Sequence, residues 1–340
     1  MRKLIIFVML VTSSFAIFAG DVARKGTTGA DQLLIPVGAR GIALGGSFVS
    51  HVRGIEAIYY NPAGLDLGQK SEAMFNYMTY LADINISYFA ANATLGDFGS
   101  IGLSFKTMDF GDIPITTVDN PDGEGAGTYS PGFLIAGLTF SKIITDRVAI
   151  GFNAKMISET ISEVSALGFA LDFGVHYKFN ESLQLGATVM NIGTNMEYSG
   201  IGLQHATEIP NSGLQGGSGL FEVVPESFQI PSYFELSIAY TLQFDEQNEM
   251  LFGTRFRNNN VLEDQMSYGL EYGFMNTLFL RGGYDMFLEN LSENIYGFTF
   301  GAGIQYEISK NMNFGFDYAY RDVKEFADPN HVFTVILGLM

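Results

Sequence analysis

The chain contains neither cysteine nor tryptophan. Without cysteine there is no disulfide framework, no thiolate metal ligand and no lipoprotein attachment site. Histidine is scarce: His51, His176, His205 and His331 are the only four, and no two stand at metal-ligand spacing. Positive charge is in short supply, with 18 basic residues against 36 acidic ones for a net charge of -18, and no basic run follows Arg2 and Lys3. A chain this acidic repels a phosphate backbone, which argues against nucleic-acid partners. Long apolar runs are missing too: past the N-terminus nothing approaches the roughly 18 consecutive apolar residues of a membrane helix. Catalytic signatures are equally thin. Ser47 follows Gly45-Gly46 without the Gly-x-Ser-x-Gly elbow that presents a nucleophile. Asp119, Asp122 and Glu124 lie in a Gly-rich stretch that does not follow the spaced-acid calcium loop. No catalytic residue, metal site or cofactor is expected, and the chain reads as non-enzymatic.

The one apolar run is N-terminal. Arg2 and Lys3 precede Leu4 to Val11, and small residues follow to Ala19. Positive charge, a short apolar core and a small-residue exit describe a secretory signal peptide over residues 1–19.

What fills the rest is alternation. Between Ile295 and Ile308 one face reads Tyr296, Phe298, Phe300, Ala302, Ile304, Tyr306, Ile308, and the other is mostly Gly, Thr and Gln. Successive side chains on a strand point to opposite sides, so this is a ribbon apolar on one side and polar on the other. Strands are expected at 71–80, 84–95, 99–109, 131–143, 147–158, 164–179, 182–191, 232–244, 249–257, 264–274, 277–287, 293–308, 312–321 and 331–340. Many exceed the usual strand length of about 5–6 residues and suit the roughly 9–11 needed for a tilted bilayer crossing. The gaps add a second signal. Alternate gaps are tight and built from turn formers, such as Gly96-Asp97-Phe98-Gly99, Asn180-Glu181-Ser182 and Met275-Asn276. The gaps between them include long stretches near 110–130 and 192–231. Short turns at one end and long loops at the other point to an all-β, transmembrane antiparallel barrel of about 14 strands over residues 70–340, in contact with outer-membrane lipid. Charges on the lipid side would be costly, so Lys155, Asp172, Arg255, Glu271, Arg281 and Asp317 are expected to face the lumen.

Residues 20–69 break the alternation and form a Gly-rich segment. Ile42 to Phe48 and Glu56 to Tyr60 each suit a helical turn or two, and Asn61-Pro62 is a strong turn signal. A segment of this size ahead of the first strand fits inside a wide barrel as a plug. Its charged residues Arg40, Arg53 and Glu56 are expected to pair with the lumen charges, because an unpaired buried charge is costly.

The runs Gly38 to Val49, with Gly45-Gly46 at its centre, and Ala57 to Leu65, containing Asn61-Pro62-Ala63-Gly64, resemble the FadL-like barrel superfamily and within it the PorV/PorQ branch. The resemblance implies an N-terminal hatch carrying the Asn-Pro-Ala motif, followed by a fourteen-stranded barrel in the bacterial outer membrane. For that branch it implies a component of type IX secretion, with secreted cargo proteins or other secretion components as partners. Two other readings stand beside it. One is a FadL-like passive channel for hydrophobic small molecules; the other is a structural or adhesive barrel without transport.

Overall fold

The computed structural model describes residues 25–208, 218–289, 294–309, 312–324 and 328–339. The expected signal peptide lies outside these residues, as do Lys310-Asn311 of the last tight turn. Fourteen strands close into one antiparallel barrel. In chain order they are β1 (Ser71–Thr79), β2 (Asn85–Thr94), β3 (Ser100–Asp109), β4 (Gly132–Ile143), β5 (Val148–Ile161), β6 (Val164–Lys178) and β7 (Leu183–Gly193). Then come β8 (Tyr233–Gln243), β9 (Glu249–Asn259), β10 (Gln265–Phe274), β11 (Leu278–Phe287), β12 (Tyr296–Ser309), β13 (Met312–Val323) and β14 (Asn330–Leu339). Each strand pairs with its neighbours in sequence, and β1 pairs with β14 from Ser71 opposite Leu339 to Thr79 opposite His331. Closure leaves no unpaired strand edge.

The tight turns expected from the sequence fall at one end of this barrel, here called the turn end, while Ser162-Glu163 makes a further two-residue turn at the other. The long connections fall at the other and carry two small hairpins that the alternation did not announce. Ile113–Pro114 pairs with Thr128–Tyr129, and Gln204–Glu208 with Ser218–Glu222.

The wall is apolar outside and polar inside. On β3, Ser100, Gly102, Ser104, Lys106 and Met108 are buried, while Ile101, Leu103 and Phe105 are exposed. On β6, Leu167, Phe169, Leu171, Phe173 and Val175 are exposed, and Asp172 and His176 are buried. A water-soluble sheet protein would bury those Leu and Phe side chains, and only a non-aqueous surround makes this inversion favourable. Exposed Phe179, Phe244, Phe274 and Tyr306 gather at the turn end, where an aromatic girdle is expected. Some inward-facing positions depart from the pattern: Gln243, Gln305, Glu307 and Ser309 are exposed, all toward the turn-end termini of their strands.

Inside the barrel lies the segment that precedes β1. Short helix α1 (Ala39–Ala43), a 3-10 turn (Gly54–Glu56), helix α2 (Ala57–Tyr60) and two further 3-10 turns (Pro62–Gly64 and Asp66–Gly68) fold it on itself. Its apolar side chains make the main core, with Leu44, Phe48, Val52, Ile55, Ile58 and Leu65 almost fully buried against Met74 and Tyr88 of the wall. The Phe48 and Tyr60 rings meet edge to face at 4.8 Å. The packed apolar core of this molecule therefore lies in its lumen.

Candidate functional site

The segment crosses the lumen between two opposite walls, and glycines receive it at both. On one side it is the Asn61-Pro62-Ala63-Gly64 turn that docks. Asn61 is extended, with φ -157°, as a residue before proline prefers. Its Oδ1 accepts the Ala63 N–H at 3.2 Å, while Nδ2 donates to the Val49 carbonyl at 3.1 Å and to the Val175 carbonyl of β6 at 3.2 Å. Gly151 and Gly174 stand opposite each other on β5 and β6. A Cβ on Gly151 would lie 2.3 Å from the Pro62 carbonyl carbon, and one on Gly174 2.1 Å from Asn61 Oδ1. This glycine pair is a notch in the wall that admits the motif. Gly64 is equally constrained, since a Cβ there would meet the Val52 carbonyl oxygen at 2.2 Å. Ser141 closes the dock by donating to the Ala63 carbonyl at 3.0 Å.

On the other side, α1 packs on β11 to β14, and the turn from Leu44 to Ser47 leans on β9 to β11. Gly45 and Gly46 have φ of 61° and 74°, a left-handed backbone that glycine adopts without strain. Gly253, Gly269 and Gly283 are aligned in register on three successive strands. A Cβ on Gly283 would come within 2.3 Å of the Leu44 carbonyl carbon, and one on Gly269 within 2.1 Å of Ser47 Oγ. Sequence reasoning missed these wall glycines, although a glycine at an inward position, matched on the neighbouring strand, was a signal in plain view.

The expected charge network exists as three separate groups. In the first, Arg40 donates to Glu271 through Nε at 2.9 Å and Nη2 at 2.8 Å, and to Glu56 through Nη1 at 3.3 Å. Arg281 joins Glu271 to Asp317. In the second, Arg255 and Arg257 share Glu235 at 3.0 and 2.8 Å, and Arg255 also faces Asp285. In the third, Lys155 pairs with Asp172 at 2.7 Å. Arg53 departs from the expectation: it is exposed and makes no ion pair among the described residues. Its contact is with a neutral group instead: Nη2 donates to the Gln184 side-chain oxygen at 3.1 Å, with the Gln184 amide nitrogen turned to the Ser50 carbonyl. Lys106, which the alternation also turns inward, donates to the Gln32 and Ile35 carbonyls and so ties β3 to the start of the segment.

Burial pushes the Glu56 carboxyl up to about 7, against the opposing pull of Arg40. Burial would likewise lower the Arg40 guanidinium, but Glu271 and Glu56 more than offset it and keep it charged. Burial, reinforced by Arg40 and Arg53, drops the neighbouring His51 to about 3, so it is neutral.

Small cavities lie between the described residues of the filled lumen. One of about 30 Å³ is bordered by Ile58, Tyr59, Tyr88, Lys106 and Tyr233. Another, of about 90 Å³, is bordered by Tyr60, Arg255, Arg257, Asp285 and Arg321. An apolar cavity of about 150 Å³ is what takes up benzene, so neither holds a ring of that size in this conformation. At the turn end a larger recess of about 360 Å³ lies beneath the segment, bordered by Arg40, Glu56, Leu67, Glu72, Asn313 and Asp317.

No family model matches the sequence, and no curated protein matches it. Solved structures do match. The chain is similar to the CymD monoaromatic hydrocarbon channel, with a TM-score of 0.56 and 13% identity, covering 90% of this chain and 98% of that one. It is similar to the Pseudomonas putida toluene transporter TodX, with a TM-score of 0.55 and 14% identity, covering 88% and 96% of the two chains. A Pseudomonas aeruginosa FadL homologue gives a TM-score of 0.54 and 11% identity, covering 90% and 98%. At such identities the likeness is one of fold, a FadL-like barrel over nearly all of both chains. It lends nothing to the narrower PorV/PorQ resemblance.

Proposed function

We propose that this protein is an outer-membrane channel that takes small hydrophobic molecules from the loop end and releases them past the luminal segment at the turn end. The observation that carries the reading is the inverted barrel sealed by an internal segment, in a fold whose solved examples include a monoaromatic hydrocarbon channel and a toluene transporter. The lumen supports it: the segment that fills it sets aromatic and aliphatic side chains against a wall that is otherwise polar. In this reading the N-terminal 19 residues direct export, and the segment of residues 20–69 is the hatch. Type IX secretion rests on the hatch motif and on the long loops near 110–130 and 192–231, and docking into the Gly151–Gly174 notch accounts for the Asn61-Pro62-Ala63 residues without any cargo.

The test is uptake of radiolabelled toluene, at limiting concentration, by cells lacking the protein and by the same cells complemented with it. Complementation should raise the uptake rate severalfold and leave entry of a labelled sugar unchanged. Equal toluene uptake in the two strains refutes the channel. Secreted proteins co-purifying with the barrel from native membranes would restore the secretion reading.

A further inference from the structure

We propose that Glu56 is a proton-operated latch that holds the luminal segment against the barrel wall at the turn end. The buried cluster there is unbalanced: three carboxylates, Glu56, Glu271 and Asp317, face two guanidiniums, Arg40 and Arg281. The partners are shared unequally. Glu271 receives a two-pronged contact from Arg40 and a further one from Arg281, and Asp317 is held by Arg281. Glu56 has a single long contact, Oε2 to Arg40 Nη1 at 3.3 Å. Its Oε1 is buried, accepts no hydrogen bond, and borders the recess of about 360 Å³. With every carboxylate ionised, one excess negative charge is buried, and its least satisfied holder is Glu56. Protonating Glu56 leaves two charges of each sign.

Other charged groups face the same recess. Glu72 of β1 is occupied by the Ile55 N–H at 2.8 Å. Arg53 and Lys70 border the recess and make no ion pair with Glu56. His51 is neutral. None of them neutralises Glu56.

The sign of the effect follows. The folded Glu56 carboxyl ionises at about 7, above its ordinary value of 4.5. Its contribution to seating is complete below that ordinary value and is lost as pH rises through about 7. Glu56 ends the Gly54–Glu56 turn and runs directly into α2 and Asn61, so moving its carboxylate outward pulls on the docked motif. The segment is seated in mild acid and loosened above neutrality.

Absence of cysteine makes a single-site reporter clean. A nitroxide on Leu67→Cys, half-buried at the recess, reports seating in the full-length protein reconstituted in zwitterionic phospholipid vesicles. Its mobile fraction, read by electron paramagnetic resonance from pH 5 to pH 9, should rise with a midpoint near 7. A one-proton latch changes the mobile-to-immobile ratio by up to about tenfold per pH unit. Glu56→Gln should stay immobile throughout. Asp317→Asn, which leaves two charges of each sign even with Glu56 ionised, should suppress the rise, and Glu72→Gln should leave it in place. A flat wild-type profile, or a transition unchanged in both Glu56→Gln and Asp317→Asn, overturns the latch. The readout needs no transported molecule, so it stands or falls independently of the channel reading.

Discussion

At the scale of single residues, adjacent glycines have opposite roles. Gly282 and Gly283 follow one another on β11, yet a Cβ on Gly282 would find its nearest neighbour at 3.9 Å, and one on Gly283 would strike Leu44 at 2.3 Å. Gly282→Ala should therefore be nearly neutral. Gly283→Ala forces the segment off the wall, and overpacking of this kind costs about 1–3 kcal/mol. Hydrogen exchange of amides in residues 39–48 should then accelerate by roughly 5- to 100-fold in Gly283→Ala, with the barrel strands unaffected. Equal exchange in the two variants would mean that the aligned glycines are not what seats the segment. The sequence showed the alternation that puts residue 283 inside. It did not show that Leu44 lies there, because that meeting is between chain positions far apart.

At the scale of elements, the luminal segment is short-helical and turn-rich because its sequence offers little else. Positive-φ glycines at 38, 45, 46 and 54 interrupt every helix after a turn or two, and Pro62 closes the last. Such pieces have no stability of their own. They hold because Phe48, Ile58 and Leu65 are buried in a lumen that side chains of the wall leave unfilled. Deleting residues 25–66 from the chain should leave a folded barrel with an open lumen. Planar-bilayer recordings should show large, steady conductance where the intact protein is closed, and equally closed traces from both would count against the segment as the seal.

At the scale of the whole molecule, the pattern of exposure decides the surroundings. Leu171 and Asp172 are neighbours on β6, with Leu171 43% exposed on the outside and Asp172 1% exposed within. In a bilayer, Leu171→Arg should lower the stability of the barrel by about 2–4 kcal/mol if the site lies near midplane. Denaturant-dependent folding into phospholipid vesicles measures this, and an unchanged midpoint would show that this face does not meet lipid. Likewise, the uptake and latch experiments test the molecule at this scale, since each needs both ends of the barrel to be intact.

The sequence by itself determined the number of strands, their bounds to within a few residues, their inner and outer faces, and the end that carries the expected tight turns, though not the tight Ser162-Glu163 turn at the opposite end. These follow from a period of two residues and from local turn chemistry, which are legible wherever they occur. Only the tertiary structure decided what meets inside. Arg40 finds Glu271 across 231 positions, and Asn61 finds the Val175 carbonyl across 114. Arg53, equally charged and close to Arg40 in the chain, makes no ion pair among the described residues and meets the neutral Gln184 instead. The physical reason is that inward-facing polarity fixes only that a charge enters the lumen. Which partner it meets depends on how the segment folds back and which wall glycines give it room.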